Sequence, residues 1–412
     1  MKISRSTIYL FGVVYFPLFI DYVALSLEYI LAIGMTIVFL IELLLKMKVV
    51  KPALLVSFVF LSLTMLSLSR SFELTGYRDI VELIKPILFF LVFMFGVGIT
   101  NYEQDVEKFA SSIMILLLSM VVFGVLEAKI PIFNSLSSLV YKGSRDPVQF
   151  KGVLSFISPY TFASLLIMPI FIFLSALIFL KRKLVYFFLF LISILCLVLT
   201  QSKTVFLSLV FTMAIFPLSL LFRSWLPKRL ELFSYFLLSI ILLSISIPFI
   251  LSYAEENLRY LYYGFEVVVE QIKTLNLDSI IYSTPSISNR YEQFLEVLQF
   301  QDTVPIIGKG IVKDIIYPES FYALYLLRYG ILGMVINLVL VFYFGKYSLN
   351  LAKFYASRDR KYMCFFIGLY AYSLSLPISY FSSAVNDQTR SGFIFYLILG
   401  VLYAGNKALN RK

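Results

Sequence analysis

Twelve runs of mostly apolar residues recur along the 412-residue chain, at about 7–22, 28–46, 52–69, 84–100, 108–126, 158–180, 184–200, 204–222, 232–252, 320–345, 363–386 and 391–406. Each is close to the roughly 20 residues that carry an α-helix across ~30 Å of hydrocarbon. In lipid every backbone N–H and C=O must be satisfied internally, and a helix does this within one segment. The chain therefore reads as an all-α polytopic membrane protein of about 12 transmembrane helices, one integral membrane domain over 1–412. Composition agrees, with 60% of residues hydrophobic and 14% charged, where a soluble domain carries about 25% charged. The opening MKISRSTIYLFGVVYF has the charge and apolarity of a signal peptide. It lacks an A-x-A-like cleavage site and further spans follow, so it reads as a retained first span.

An even number of spans puts both termini on one side. Twenty of the 35 Lys and Arg fall on that side, among them Lys46, Lys48, Lys51, Lys181, Arg182 and Lys183. The positive-inside rule makes it cytoplasmic. Eighteen of the 24 acidic residues fall on the other side. The net charge of +11 thus belongs to membrane loops, and no nucleic-acid partner is implied. Cytoplasmic loops are short, while two external loops, 127–157 and 253–319, are long enough to carry function. In the second, Leu258, Leu261, Tyr262, Phe265, Val269 and Ile272 recur at helical spacing and predict an amphipathic helix on the membrane surface. A further short helix is expected at RYEQFLEVLQF, with Tyr291, Phe294, Leu295 and Leu298 as its apolar face. Asn289 and Glu292 have capping-box spacing at its start.

The absence of histidine excludes imidazole acid–base chemistry and His metal ligation. Cys196 and Cys364 lie inside apolar runs and read as small buried hydrophobes, not as a disulfide or metal pair. The chemistry must come from other groups. Arg290 opens the short helix, where free N–H groups, the helix dipole and a guanidinium converge as an anion site. The alternative is a solvated surface arginine. Glu319 follows Pro318 at the start of the tenth span and reads as a first-turn residue. It either complements the helix dipole or serves as a base at the outer mouth of a cavity. The helix face leading inward from it passes Ala323, Leu326 and Gly330, small enough in two places for a close approach. Arg328 lies about 13 Å further along, and nine residues at about 100° each place it on the opposite face, so Glu319 and Arg328 are not a simple ion pair. A charge inside a span costs roughly 2.5–3.5 kcal/mol and is a functional candidate by default; a snorkelling arginine is the alternative. Arg78, Lys85, Arg145, Lys151, Lys203 and Arg390 stand at or near outer helix ends. Together they favour an anionic ligand approached from outside.

Taken in order, Arg290, Pro305, Gly308-Lys309-Gly310, Glu319-Ser320 and Gly330-Ile331-Leu332-Gly333 resemble the C-terminal signature of the bacterial O-antigen polymerases of the Wzy type. Gln201-Ser202-Lys203-Thr204 is similar to their Ser-Arg/Lys-Thr turn, and stretch 152–159 to their loop entering a middle span. The hydropathy layout fits over nearly the whole chain. Related O-antigen ligases carry a His in the region matching 308–320, and this chain has none. The Arg-x10-Gly loop motif of some polymerases is absent as well, since the first glycine after Arg290 is Gly308.

The resemblance implies a GT-C-like glycosyltransferase architecture in the bacterial inner membrane, with the active site facing the periplasm. It implies polymerisation of polyprenyl-pyrophosphate-linked oligosaccharide units, with inversion and without metal or other cofactor. Donor and acceptor lipids, the surrounding membrane lipids and a chain-length regulator are the implied partners. Arg290 and Arg328 would grip pyrophosphate, and Glu319 would activate or orient the acceptor hydroxyl. Lys203, Arg145, Arg78 and Arg390 would add charge, Tyr291 and Ser320 would line the site, and Gly308, Gly310, Gly330 and Gly333 would shape it. The rival expectations are an O-antigen ligase-like transferase and a lipid-linked oligosaccharide flippase or transporter. Twelve spans with both ends inside is also a common transporter layout, but many such proteins show two similar halves. Here only Lys181-Arg182-Lys183 separates spans six and seven, and the large loop is off-centre.

Overall fold

The computed structural model describes residues 5–15, 50–70, 77–100, 102–140, 156, 158–226, 285–300, 306–312, 316 and 318–409, with isolated positions elsewhere. Among the described residues there are twelve α-helices and no strands. They are α1 (Arg5–Tyr15), α2 (Lys51–Arg70), α3 (Tyr77–Gly98), α4 (Glu103–Lys129), α5 (Pro131–Val140), α6 (Pro159–Phe179), α7 (Lys183–Leu199), α8 (Lys203–Leu221), α9 (Pro285–Phe300), α10 (Phe321–Tyr355), α11 (Arg360–Ser379) and α12 (Thr389–Leu409), with a 3₁₀ turn at Val385–Asp387. Six of them, α4, α6, α8, α10, α11 and α12, are long and apolar enough to cross a membrane. Shorter apolar stretches lie in α2, α3 and α7. The protein is membrane-embedded and helical.

Ten of the twelve expected spans coincide with a described helix; 28–46 and 232–252 lie outside the described residues apart from isolated positions. So do the amphipathic segment 258–272, Arg145 and Lys151. Two boundaries differ from expectation. The eleventh span ends at Ser379, not 386, because the chain turns there after Pro377. The segment 127–157, expected as a loop, is helical in its first part, where Ser137 of α5 donates to Glu127 Oε1 at 2.6 Å.

The chain divides into two compact units. One comprises Met114–Asn289 and Ser348–Ser379. Its centre is α6, buried on almost every side and started by Ser158, whose hydroxyl accepts from Tyr160 N ahead of a Pro at the first helical position. Gly368 lets α11 rest directly on Ile172 of α6. Ser208 of α8 donates to the Ser375 carbonyl of α11 at 2.7 Å, and Ser379 meets Ser208 at 3.2 Å. Cys196 and Cys364 are free and buried here.

The other unit comprises Met1–Ile113, Arg290–Tyr347 and Tyr380–Lys412. In it α3 and α12 run side by side. Phe89 stacks on Tyr396 with centroids 4.8 Å apart. Further along, Gly96 meets Gly400, where a Cβ on either would strike the other helix's backbone. This is the small-residue contact by which membrane helices approach closely. Phe60 of α2 packs edge-on against Tyr325 and Tyr329 of α10. Every residue of the C-terminal signature lies in this unit.

Candidate functional site

The signature glycines surround a break in α10. At Gly330 the backbone leaves the helix, with φ 66° and ψ −168°, a combination that is essentially glycine's alone. In an unbroken helix the Leu327 carbonyl would accept from residue 331. Here Lys309 N and Gly310 N donate to it instead, at 2.7 and 3.1 Å, and Leu332 N donates to the Ile306 carbonyl at 3.3 Å. The loop thus supplies the partners that the break removes, as backbone inside a membrane requires. Gly308 is needed because a Cβ there would collide with the Leu327 and Arg328 backbone. Gly310 is needed for its φ of 127°. Gly333 fits under Tyr329. Lys309, between the two loop glycines, donates to the Phe300 carbonyl at 2.8 Å and lies over the Phe300 ring.

This loop also fills the face that sequence reading left open for a ligand. Ala323, Leu326 and Leu327 are buried against Val297, Val312 and Ile316, with Phe294 and Phe300 beside them. Burial of each such Val, Ile or Leu is worth roughly 1.5–3 kcal/mol, enough to seat the loop firmly.

Glu319 is not in the first helical turn. Ser320 is the N-cap: its hydroxyl accepts from Ala323 N at 3.2 Å, and its carbonyl from Leu324 N. Pro318 and Glu319 therefore precede the helix. Both main-chain groups of Glu319 are held, the N–H by Gln293 Oε1 at 3.1 Å and the carbonyl by Ala384 N at 3.2 Å. Its carboxylate stands out from this clamp, 57% exposed, and accepts from Arg290 Nη2 at 3.1 Å. Arg290 does not open its helix either. Pro285 starts α9, so Arg290 lies in the second turn and Asn289 is interior, not a cap. Arg290 Nε donates to the Ser382 carbonyl at 3.2 Å. Tyr291 follows it, half-buried.

Arg328 is 2% exposed and sits between two carboxylates. Its Nη1 is 3.1 Å from Glu82 Oε2 and 3.0 Å from Asp387 Oδ2. Lys85 Nζ reaches the same two oxygens at 2.7 and 3.5 Å. Two acids and two bases form a charge-balanced quartet, in which each charge meets its opposite. The expectation that Glu319 and Arg328 do not pair is met, with each having another partner.

One turn, 380–388, organises both groups. Tyr380 accepts Phe321 N at its carbonyl and stacks on Phe321 at 4.2 Å. Its hydroxyl lies 2.6 Å from Asn386 Nδ2 and 3.3 Å from Asn337 Oδ1, and Asn337 Nδ2 donates to the Tyr325 hydroxyl. Ser382 and Ala384 hold the Arg290–Glu319 pair, and Asp387 holds Arg328.

Of the remaining expected cations, Arg390 is buried and donates to the Val14 carbonyl at 2.9 Å. Lys203, half-buried at the start of α8, belongs to the other unit. It follows Gln201, whose φ of 56° makes the Gln201-Ser202-Lys203-Thr204 turn sharp. Arg78 is in the first turn of α3, with its side chain outside the described residues. Among the described residues no three Asp, Glu, Cys or His gather closely enough to hold a metal ion.

Sequence reading missed Glu82, Asp387, Asn337 and Tyr380. A signal for two of them was present. Glu82 is three residues before Lys85 and Asp387 three before Arg390, each acid at the edge of an apolar run. Beside the quartet, and lined by Lys85 and Asp387, is a cavity of about 470 Å³ whose walls include Phe60, Phe89, Phe93, Tyr325, Tyr329, Tyr396 and Tyr403. No family model and no curated protein matches the chain.

Proposed function

We propose that this protein is a glycosyltransferase of the O-antigen polymerase type. It joins polyprenyl-pyrophosphate-linked oligosaccharide units at the periplasmic face of the bacterial inner membrane. In this reading twelve spans of GT-C-like arrangement leave both termini in the cytoplasm. The observation that carries the proposal is the exposed Glu319 carboxylate, fixed through its backbone from two sides and paired with Arg290. A general base must be held in place yet reach its substrate, and a leaving pyrophosphate needs a bidentate cation nearby. Glu319 and Arg290, both within the stretch that carries the resemblance, support this reading.

The acceptor sugar hydroxyl attacks the anomeric carbon of the donor chain. Its proton passes to the Glu319 carboxylate as the new C–O bond forms on the face opposite the leaving group. The bond from the anomeric carbon to the pyrophosphate oxygen breaks, and the electron pair leaves with polyprenyl pyrophosphate. Arg290 turns from the carboxylate to the developing phosphate charge. Arg78 remains a candidate for a further contact with the anionic donor, and Tyr291 for the glycan. Arg328, enclosed by Glu82 and Asp387, is better placed to hold the broken helix against the 380–388 turn than to meet a ligand. The reaction as written uses no cofactor.

The test is deletion of the gene followed by gel analysis of the surface polysaccharide, with wild type and Glu319→Gln restored in turn. The expected result is core capped by a single repeat unit, the ladder returning with wild type and not with Glu319→Gln at equal protein level. Full ladders from Glu319→Gln would end its role as base. Long polymer stranded on its lipid carrier would mean a ligase, and single units trapped on the cytoplasmic side a flippase.

A further inference from the structure

The 470 Å³ cavity is a slot. The register of α3 against α12, with Lys85 near Asp387, Phe89 on Tyr396 and Phe93 beside Tyr403, orders its lining from a charged end to an aromatic one. From the start of α12 to Tyr403 is fourteen residues, or about 21 Å along the helix. Apart from that one charged end the lining of the slot is mostly apolar and aromatic, which suits a hydrocarbon chain laid along it. Its side is open along α10. Val335 and Val339 line it and are themselves 46% and 44% exposed. On a helix apolar enough to cross a membrane, what lies beyond those two valines is lipid.

The polar end selects the head group. Lys85 and Asp387 are the two members of the quartet that line the slot, and their contact, at 3.5 Å, is the longest of the four. They present one ammonium and one carboxylate side by side. The quartet sums to zero, so a head of net negative charge finds no excess cation there. A head carrying both signs finds each of its charges matched. A primary ammonium adds N–H donors to the carboxylate, which a quaternary ammonium lacks.

We infer that the slot holds one chain of a membrane phospholipid whose head bears a phosphate and a primary ammonium, the phosphate meeting Lys85 and the ammonium meeting Asp387. The second chain stays in the bilayer past Val335 and Val339. This is a resident lipid site, separate from the Arg290–Glu319 pair and independent of the transfer reaction proposed above.

The experiment uses the full chain, purified in mild detergent and stripped of lipid. It is titrated with dioleoyl phosphatidylethanolamine, phosphatidylcholine, phosphatidylglycerol and decaprenyl phosphate, and bound lipid is counted by native mass spectrometry. The expected result is one phosphatidylethanolamine per chain, held at least tenfold more tightly than the other three. Leu399→Trp, which fills the slot, should weaken it tenfold or more. Because Leu399 is buried, Val339→Trp at the exposed mouth provides the same obstruction with less demand on folding. Lys85→Gln should narrow the preference over phosphatidylcholine. Equal retention of the three phospholipids would overturn the inference, as would phosphatidylethanolamine binding indifferent to both tryptophan variants. Preference for decaprenyl phosphate would also overturn it and make the slot a carrier-lipid site.

Discussion

Replacing Arg328 by methionine is the sharpest perturbation of this molecule that keeps side-chain volume close to native. In the native protein Nη1 of Arg328 is 3.1 Å from Glu82 and 3.0 Å from Asp387, with all three side chains buried. Methionine leaves two buried carboxylates to share Lys85, a net charge of −1 in a site that had none. Removing one partner from a buried ion pair costs about 3–5 kcal/mol, because the charge left behind remains desolvated. At about 2 °C per kcal/mol for a unit of roughly 200 residues, the size of the one that holds the quartet, that is a fall of roughly 6–10 °C in its melting temperature. Charge parity rather than contact number should govern the outcome. Arg328→Met with Asp387→Asn leaves Glu82 facing Lys85 at zero net charge, and should recover at least half of the loss. The chain has two compact units, so the probe must report the right one. Cys196, Cys364 and the single tryptophan, Trp225, all belong to the other unit. A thiol-reactive dye reading Ala404→Cys, in a Cys196→Ala, Cys364→Ala background, follows the unit that holds the quartet. A single variant within 1 kcal/mol of native, or a double variant no better than the single, would refute the argument.

Gly308→Ala forces a Cβ into the Leu327 and Arg328 backbone and should destabilise this unit by about 3 kcal/mol. Gly330→Ala, strained at φ 66°, should cost about 1–3 kcal/mol; both are read in the same melting assay. Ser320→Ala removes the N-cap acceptor of α10 and should cost about 1 kcal/mol, with Ser320→Thr or Ser320→Asp close to native. Arg290→Ala breaks an ion pair with a 57% exposed carboxylate, worth only about 0.2–1 kcal/mol. Its melting temperature should barely move while affinity for the lipid-pyrophosphate donor proposed above, measured by titration, falls at least tenfold. Unchanged donor affinity would remove Arg290 from the site.

Much of the helical framework was legible because bilayer thickness fixes the length of an apolar run, and that length is visible in a single sequence. What failed was local punctuation. Asn289 and Glu292 imitate a capping box, but Pro285, four residues earlier, had already started α9. Pro318 looked like a first helical residue, whereas the Ser320 hydroxyl takes the cap. Gly330 read as a small contact residue because its positive φ leaves no trace in composition. The quartet was hidden for a different reason. Arg328 meets partners 246 and 59 positions away, and no periodicity reports pairing at such separations. Arg290 and Glu319, 29 residues apart, each carry a local signal in the sequence, but their pairing is tertiary.

The docking of 306–310 into the break of α10 has a bearing on how the chain could be divided. Backbone bonds run from Lys309 and Gly310 to Leu327, and from Leu332 back to Ile306. Val312 and Ile316 add apolar contacts to Ala323, Leu326 and Leu327. The covalent link through Pro318 is thus only one of several connections between these stretches. Two co-expressed fragments, one ending after Val312 and the other beginning before Pro318, carry on their own ends the surfaces that recognise each other. They should co-purify as a non-covalent pair, held also by the α3–α12 contact and the quartet, and the Gly308→Ala change in the first fragment should lower the temperature at which the pair separates.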